Sequence, residues 1–224
     1  MDKPNLKPKV YIAIPSAGGE IVPGLVYDLI RWTHDPRYRV RIDIREAMFP
    51  HDNARNTMVK EFLELDHDIY WSLDDDIVPP PDALHRLAST LLARKDIDAL
   101  GAVCFSMKLE KGEYFPYPVT LRYNKEKKFQ VYYGQGVEEA DATGGACVMI
   151  KRKVFEAIER PYEFVYHKDG TLELTTEFHF AQKMQEKGFR LFIDFDILCD
   201  HQRKCSILGI QNLMNKISRK QNGR

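Results

Sequence analysis

A single α/β domain, with helices on both faces of a mostly parallel central sheet, is what the order of elements along this sequence predicts. Apolar strand-like runs alternate with amphipathic helical runs over residues 9–103. The chain has 224 residues and 44% hydrophobic content, enough for one substantial core. Three consecutive carboxylates close one of the apolar runs, at the strand end where open α/β sheets bind their ligands.

The opening "KVYIAIPSAGGEIVPGLVYDLIRW" reads as a strand ending at Pro15, a small-residue loop, and a helix through Val26, Leu29 and Ile30. "YRVRIDI" is a second short strand. In "NARNTMVKEFLEL", Met58, Phe62 and Leu65 fall at helical spacing behind Asn53 as N-cap. "HDIYWSL" is the third strand, and Asp74, Asp75 and Asp76 stand at its end. Three prolines follow, and Pro81 suits the start of a helix over "DALHRLASTLLARKD". "IDALGAVCF" is the next strand.

From Lys108 to Val137 the pattern breaks into Tyr, Phe, Pro, Gly and charge, predicting a small inserted hairpin from "VTLRY" and "FQVYY". Beyond it, "EEADATGGACVMIKRKVFEAI" reads as strand, glycine pair, strand and helix, and "RPYEFVYHKDGTLEL" as a loop. "TTEFHFAQKMQEKG" is a helix capped at Thr175 or Thr176 and ended by Gly188, and "FRLFIDF" is a last strand. In residues 206–219, Ile207, Ile210, Leu213, Met214 and Ile217 share one arc of a helical wheel. Such a helix packs on the domain or, with its basic flank, makes peripheral contact with a membrane or a partner.

The 33 basic and 33 acidic residues cancel, which removes the positive field expected of a nucleic-acid-gripping protein. The N-terminal "MDKPNLKPKV" carries no apolar signal core, and no window approaches a membrane span, so a cytoplasmic protein is expected. Cys104, Cys147, Cys199 and Cys205 include no C-x-x-C pair and fit reduced, mostly buried thiols.

Crowding three carboxylates at one point is costly: two of them about 4 Å apart repel by roughly 4 kcal/mol at an effective dielectric near 20. A cation would offset this. On an extended chain Asp74 and Asp76 project to one side and Asp75 to the other, so the D-x-D pair makes a two-pronged oxygen site suited to Mg²⁺ or Mn²⁺. The competing reading is a solvated acidic turn, with Asp82 favoured by a helix dipole.

At this point the run "NARNTMVKEFLELDHDIYWSLDDDIVPPPDALHRL" resembles the nucleotide-sugar-binding half of GT-A fold glycosyltransferases of the broad family 2 type, in which a similar strand ends in a D-x-D motif. "VYIAIPSAGG" resembles their first strand and nucleotide loop, and "ATGGACVMIKRKVFEAI" their glycine-containing strand and helix. "TEFHFAQKMQEKGFRLFIDFDILCDH" resembles their acidic helix, final strand and closing histidine. The resemblance implies a single GT-A, Rossmann-like domain, with residues 9–103 binding the nucleotide sugar, residues 104–201 facing the acceptor, and residues 206–219 appended as the amphipathic helix.

It further implies metal-dependent transfer of a sugar from a UDP- or GDP-sugar to a hydroxyl acceptor on a glycan, lipid or other molecule. Asp76 would bind Mn²⁺ or Mg²⁺ on the diphosphate, Asp74 the metal or ribose, and Asp75 ribose or backbone. His201 would complete the metal site, unless it is simply a satisfied histidine. Pro15, Ser16 and Ala17 would border the base, and Arg55 would reach the nucleotide or its phosphates, or else be an exposed helical arginine. Gly144 and Gly145 would allow close approach of the sugar or acceptor, where a tight strand turn is the alternative. Glu177 would be the general base, although relatives carry an Asp-containing pattern where this chain has "TEFHF"; a first-turn acid favoured by the helix dipole is the competing role.

The segment 108–137 and the loop 161–174 are the expected lids, with Tyr114, Phe115, Tyr117, Tyr162 and Tyr166 either stacking on sugars or packing the loops down. Two rival functions remain. A sugar- or nucleotide-binding module would hold donor without consuming it. A haloacid-dehalogenase-type phosphatase would use Asp74 as nucleophile, but its motif belongs on the first core strand, and two strand-helix units precede Asp74. A nucleotidylyltransferase would need a basic glycine-rich opening that "IPSAGGEIVPG" lacks.

Overall fold

The computed structural model describes residues 7–46, 50–110, 113–124, 126 and 128–202, with backbone only at 109, 110, 113 and 114. The arc at residues 206–219 and Cys205 lie outside the described residues. Strand β1 (Lys9–Ser16) leads into α1 (Pro23–Thr33), then β2 (Arg39–Glu46), α2 (His51–Glu64), β3 (Ile69–Leu73), β4 (Ile77–Val78), α3 (Ala83–Ala93) and β5 (Ala99–Val103). The hairpin of β6 (Phe105–Glu110) and β7 (Glu113–Pro118) follows, then β8 (Thr120–Tyr123), β9 (Phe129–Val131), β10 (Val137–Ala140), β11 (Ala142–Thr143), β12 (Cys147–Lys151) and α4 (Arg152–Ala157). The chain continues through β13 (Val165–Tyr166), β14 (Leu172–Leu174), α5 (Thr176–Glu186), β15 (Leu191–Leu198) and β16 (Asp200–His201).

Seven strands form the central sheet in the order β10-β15-β5-β12-β3-β1-β2. Strands β1, β2, β3, β5 and β15 run one way, while β12 is antiparallel to both its neighbours and β10 closes the far edge antiparallel to β15. The two faces of β1 divide the core. Val10, Ile12 and Ile14 join Leu25, Trp32, Leu87 and Leu91 on the α1 and α3 side, and Tyr11 and Ala13 join Met58, Phe62, Phe155 and Phe180 on the other. This period-2 division on a sheet covered by helices on both sides is the expected α/β layering. Cys104, Cys147 and Cys199 are free and buried, and no helix among the described residues is long and apolar enough to cross a membrane.

The structure corrects several sequence boundaries. Helix α2 starts at His51 with Pro50 at the N-cap, so Asn53 lies inside the first turn. Helix α3 starts at Ala83 behind Asp82, with the Ala83 N–H bonded to the Pro80 carbonyl, two residues beyond Pro81. The segment expected to be a plain loop carries the small β13–β14 hairpin, closed by a turn in which Gly170 takes φ +83°. The β8–β9 hairpin is present where predicted, as part of a three-stranded sheet with β11, and a second hairpin, β6–β7, precedes it.

Helix α2 carries Arg55 and is fixed within its span and at its C-terminal end. Asn56 bonds both the N–H and the carbonyl of Tyr162, at 3.1 and 2.6 Å. At the C-terminal end, where the last carbonyls have no helical partner, Arg152 donates to the carbonyls of Leu63 and Leu65 at 2.7 Å and lies 3.3 Å from those of Phe62 and His67. Charge-assisted bonds of this kind contribute about 1.5–3 kcal/mol. Arg152→Ala is therefore expected to lower the free energy of unfolding by about 2 kcal/mol, read as a lower urea midpoint with an unchanged m-value.

Candidate active site

The acidic triplet forms a turn, not the extended strand end that the sequence suggested. The Ile77 N–H bonds back to the Asp74 carbonyl at 3.3 Å, and three separate segments hold the backbone. Asp74 N–H donates to the Ala146 carbonyl (3.0 Å), the Asp75 carbonyl accepts from Val22 N–H (3.1 Å), and the Asp76 carbonyl accepts from Gln202 N–H (2.8 Å). The loop after β1, the glycine-pair loop and the chain after β16 thus all meet at this turn. Asp74 and Asp76 take different partners as a result.

Asp76 meets His201. Short antiparallel pairing of β16 with β4, His201 opposite Ile77, brings the imidazole to the turn, and Nε2 lies 3.0 Å from Asp76 Oδ2. Nδ1 lies 2.6 Å from the Phe105 carbonyl, which can only accept, so Nδ1 carries a proton. Nε2 is thereby presented to the carboxylate, the arrangement by which a backbone carbonyl fixes the tautomer of a ligating histidine. About 3 Å is also the separation of two adjacent ligands each about 2.1 Å from an octahedral cation. These two side chains fit a divalent metal. Among the described residues no three His, Cys, Asp or Glu side chains gather as a metal cage, so Asp74, Asp76 and His201 do not form one together.

Asp74 meets Arg55 instead. The guanidinium is buried, its side chain only 5% exposed; Nη2 donates to Asp74 Oδ1 at 3.0 Å, Nη1 donates to Ser72 Oγ at 2.7 Å, and Nε lies 3.3 Å from Glu177 Oε1. Arg55 is thus neither an exposed helical arginine nor one reaching outward to phosphate. Its position was legible in the sequence: Arg55 precedes Met58, Val59 and Phe62 by three, four and seven residues, on the stripe that α2 buries. The Tyr162 ring backs the guanidinium at 5.6 Å, so Tyr162 is a buried wall and not a lid aromatic. Phe115 and Tyr166 are exposed, whereas the Tyr114 side chain lies outside the described residues.

Gly145 makes this cluster possible. Its carbonyl accepts from Ser72 Oγ at 2.7 Å, and a Cβ there would fall 2.9 Å from Arg55 Nη1 and 3.0 Å from Glu177 Cγ. The glycine pair therefore serves close approach of this chain's own charged groups at the second glycine, while a Cβ on Gly144 would meet only the Val119 side chain.

The electrostatics follow from burial. Burial works against the Arg55 charge, but Asp74 and Glu177 overcome it and raise its pKa. Burial raises the Asp74 carboxyl, with Arg55 pulling the other way. Burial also opposes ionisation of Glu177, yet Arg55, the helix backbone and the Thr176 and Thr175 hydroxyls together hold that carboxyl below its ordinary value. Burial pushes the Tyr162 phenol far up, so it stays neutral.

At the mouth, Pro15 and Ser16 are buried and Ala17 is exposed. Ser16 Oγ has no hydrogen-bond partner within the protein although Ser16 is only 2% exposed. Glu46, which the sequence did not single out, sits opposite Ser16 in the β1–β2 register. It closes against Gly19, whose φ of +70° and lack of a Cβ allow the contact. Its signal was the position: an acid at the end of a strand adjacent to the first.

The fold is the GT-A fold of glycosyltransferases. A family model described as glycosyltransferase-like family 2 matches residues 29–224, and the chain belongs to that family. No curated protein is similar enough in sequence to match. Among solved structures, A197 from STIV aligns with a TM-score of 0.59 at 17% identity, covering 88% of this chain and 86% of the other. GalNAc-T7 with UDP, GalNAc and Mn²⁺ aligns at 0.54 and 11% identity over 91% of this chain and 45% of its own. The mannosyltransferase PcManGT from Pyrobaculum calidifontis, in complex with GDP-Man and Mn²⁺, aligns at 0.53 and 16% identity over 89% of this chain and 58% of its own. The chain thus spans about half the length of these two enzymes, and the likeness at such identities is one of fold.

The Glu177 charge has a pH signature. Its carboxyl is held low in the folded protein, so its stabilisation is fully present above the unfolded value near 4.3 and is lost as pH falls through the lower folded value. The native protein is expected to exceed Glu177→Gln in stability near neutrality, and that gap should close on acidification below about pH 4, as read by urea unfolding at successive pH values.

Proposed function

We propose that this protein transfers a sugar from a UDP- or GDP-sugar to a hydroxyl acceptor, with Mn²⁺ or Mg²⁺ as cofactor. The observation that carries the reading is the return of His201, 125 positions along the chain, to within 3.0 Å of Asp76 beside the Asp74–Arg55–Glu177 cluster. Two charged sites, one suited to a cation and one to a proton, stand on neighbouring residues of a single turn. A solvated acidic turn would need neither.

In this reading Pro15, the unpartnered Ser16 hydroxyl and Ala17 border the nucleotide base, Asp75 contacts the ribose, and Asp76 and His201 hold the cation, with Asp74 on its inner side. A divalent cation held there would supply positive charge to stabilise the diphosphate leaving group. Gly144 and Gly145 shape the floor under the sugar. The acceptor oxygen bonds to the anomeric carbon as that carbon's bond to the diphosphate oxygen breaks. The hydroxyl proton passes to the Glu177 carboxylate, which Arg55 holds in place. The nucleoside diphosphate departs with the electron pair.

Incubation with Mn²⁺ and a panel of UDP- and GDP-sugars should release the nucleoside diphosphate of one donor, whereas binding without release across the panel would make the protein a binding module. Asp76→Ala and His201→Ala should each weaken Mn²⁺-dependent UDP or GDP binding by about tenfold or more, measured by calorimetry; undiminished binding in the His201 variant would remove that residue from the site. Glu177→Gln should bind donor normally and slow transfer by about 10²–10⁴-fold.

A further inference from the structure

We propose that Arg55 is a positioning residue that locks the Glu177 carboxylate in its ionised form and in one orientation by tying it to the donor-side carboxylate Asp74. The inference deepens the reading above and rests on Glu177 as the group that takes the acceptor's proton.

Arg55 joins the end of β3 to α5. Nη2 donates to Asp74 just after β3 at 3.0 Å and Nη1 to Ser72 on β3 at 2.7 Å, while Nε lies 3.3 Å from the Glu177 carboxylate on α5 as an ion pair without a hydrogen bond. Asn56, one residue on, pins Tyr162 through both backbone groups, and the Tyr162 ring covers the guanidinium. The absence of a Cβ at Gly145 leaves the remaining side open for it. A planar fork with fixed donor directions can satisfy this arrangement, whereas a single ammonium cannot reach both carboxylates and the hydroxyl at once.

The groups facing Glu177 are few. Arg55 approaches from α2, Asp74 lies on the far side of that guanidinium, the Tyr162 phenol is neutral, and the Thr175 and Thr176 hydroxyls at its own helix end favour its charged form. Arg55 is the strongest of the groups that oppose the effect of burial on Glu177, ahead of the helix backbone and the Thr176 and Thr175 hydroxyls. Without it Glu177 would keep its burial and lose its ion pair, and its carboxyl would take up a proton more readily. A protonated Glu177 could not accept the acceptor's hydrogen.

The test uses Arg55→Gln and Arg55→Lys in the full chain. The Glu177 carboxyl is titrated by carbon-13 NMR, with its signal identified by its loss in Glu177→Gln. This readout needs no turnover, so it stands even where no donor is turned over and the transfer reading itself fails. Arg55→Gln is expected to raise the Glu177 midpoint by about one pH unit or more. The acidic limb of kcat/KM for the accepted donor should move by the same amount. Arg55→Lys should return the midpoint part of the way while kcat stays lowered, since charge is restored without the fork. If Arg55→Gln does not fold, the lysine variant decides alone: a Glu177 midpoint above that of the native protein supports the proposal. An unmoved midpoint in the folded variants, with only thermal stability reduced, would overturn it and leave Arg55 as a structural strut.

Discussion

A guanidinium with almost no contact with water is expensive to place, because removing an ion from solvent costs several kcal/mol even after the protein relaxes around it. Arg55 is such a group, and much of the site follows from what its burial requires. It needs opposite charge, which Asp74 and Glu177 bring from positions 19 and 122 residues further along the chain. It needs acceptors for its other N–H groups, and Ser72 supplies one while its own O–H donates to the Gly145 carbonyl. It also needs room, which Gly145 provides by lacking a side chain. Ser72 and Asp74 come from the end of β3, Gly145 from the glycine loop and Glu177 from α5, so satisfying one arginine fixes these three parts relative to one another.

The acidic triplet is the second half of the same arrangement. Because its backbone turns at Asp74 and is bonded to Ala146, Val22 and Gln202, the two outer carboxylates are sent to different partners. Asp74 is spent on a permanent cation, the arginine, and Asp76 faces an imidazole whose other nitrogen is already committed to the Phe105 carbonyl. Repulsion within the triplet is thus relieved in part inside the protein, and the side left for an external cation carries few ligands.

The parts of this that sequence exposes are those with local causes. Strand-helix alternation, the Asp cluster at a strand end, the Thr175 cap and Gly188 after α5 depend on near neighbours, and each is where the pattern puts it. Direction and partnership are not local. "CVMIK" is buried on both faces and reads the same whichever way it runs, so nothing in it announces that β12 is antiparallel between β3 and β5. Extended-chain alternation failed for Asp74 to Asp76 because their backbone bonds go to residues distant in sequence. Tyr162 follows a proline in a polar stretch and looks like a loop residue, yet Asn56 draws it under Arg55. Arg55 itself was readable from its spacing to Met58 and Phe62, but a charge on a buried stripe is easily taken for the helix's wet edge.

An ion-paired carboxylate is a curious choice for accepting a proton, and its cost identifies where the rate must come from. Basicity falls as the pKa falls, so Glu177 is a weaker base beside Arg55 than it would be alone in the same pocket. Buried without the arginine it would be a stronger base but populated in the wrong protonation state, and free to turn. In the proposed chemistry the pair exchanges base strength for constant ionisation and a fixed direction. The hydroxyl proton need only leave as the bond to the anomeric carbon forms, when the oxygen has become acidic. The larger demand then falls on the departing diphosphate, whose charge must be met at the Asp76 and His201 side. On the proposed chemistry the two carboxylates of one turn would then divide the work: the Asp74 side, fixed on an arginine, would serve a step whose charge changes little, and the Asp76 and His201 side would hold the exchangeable cation that offsets the charge of the product.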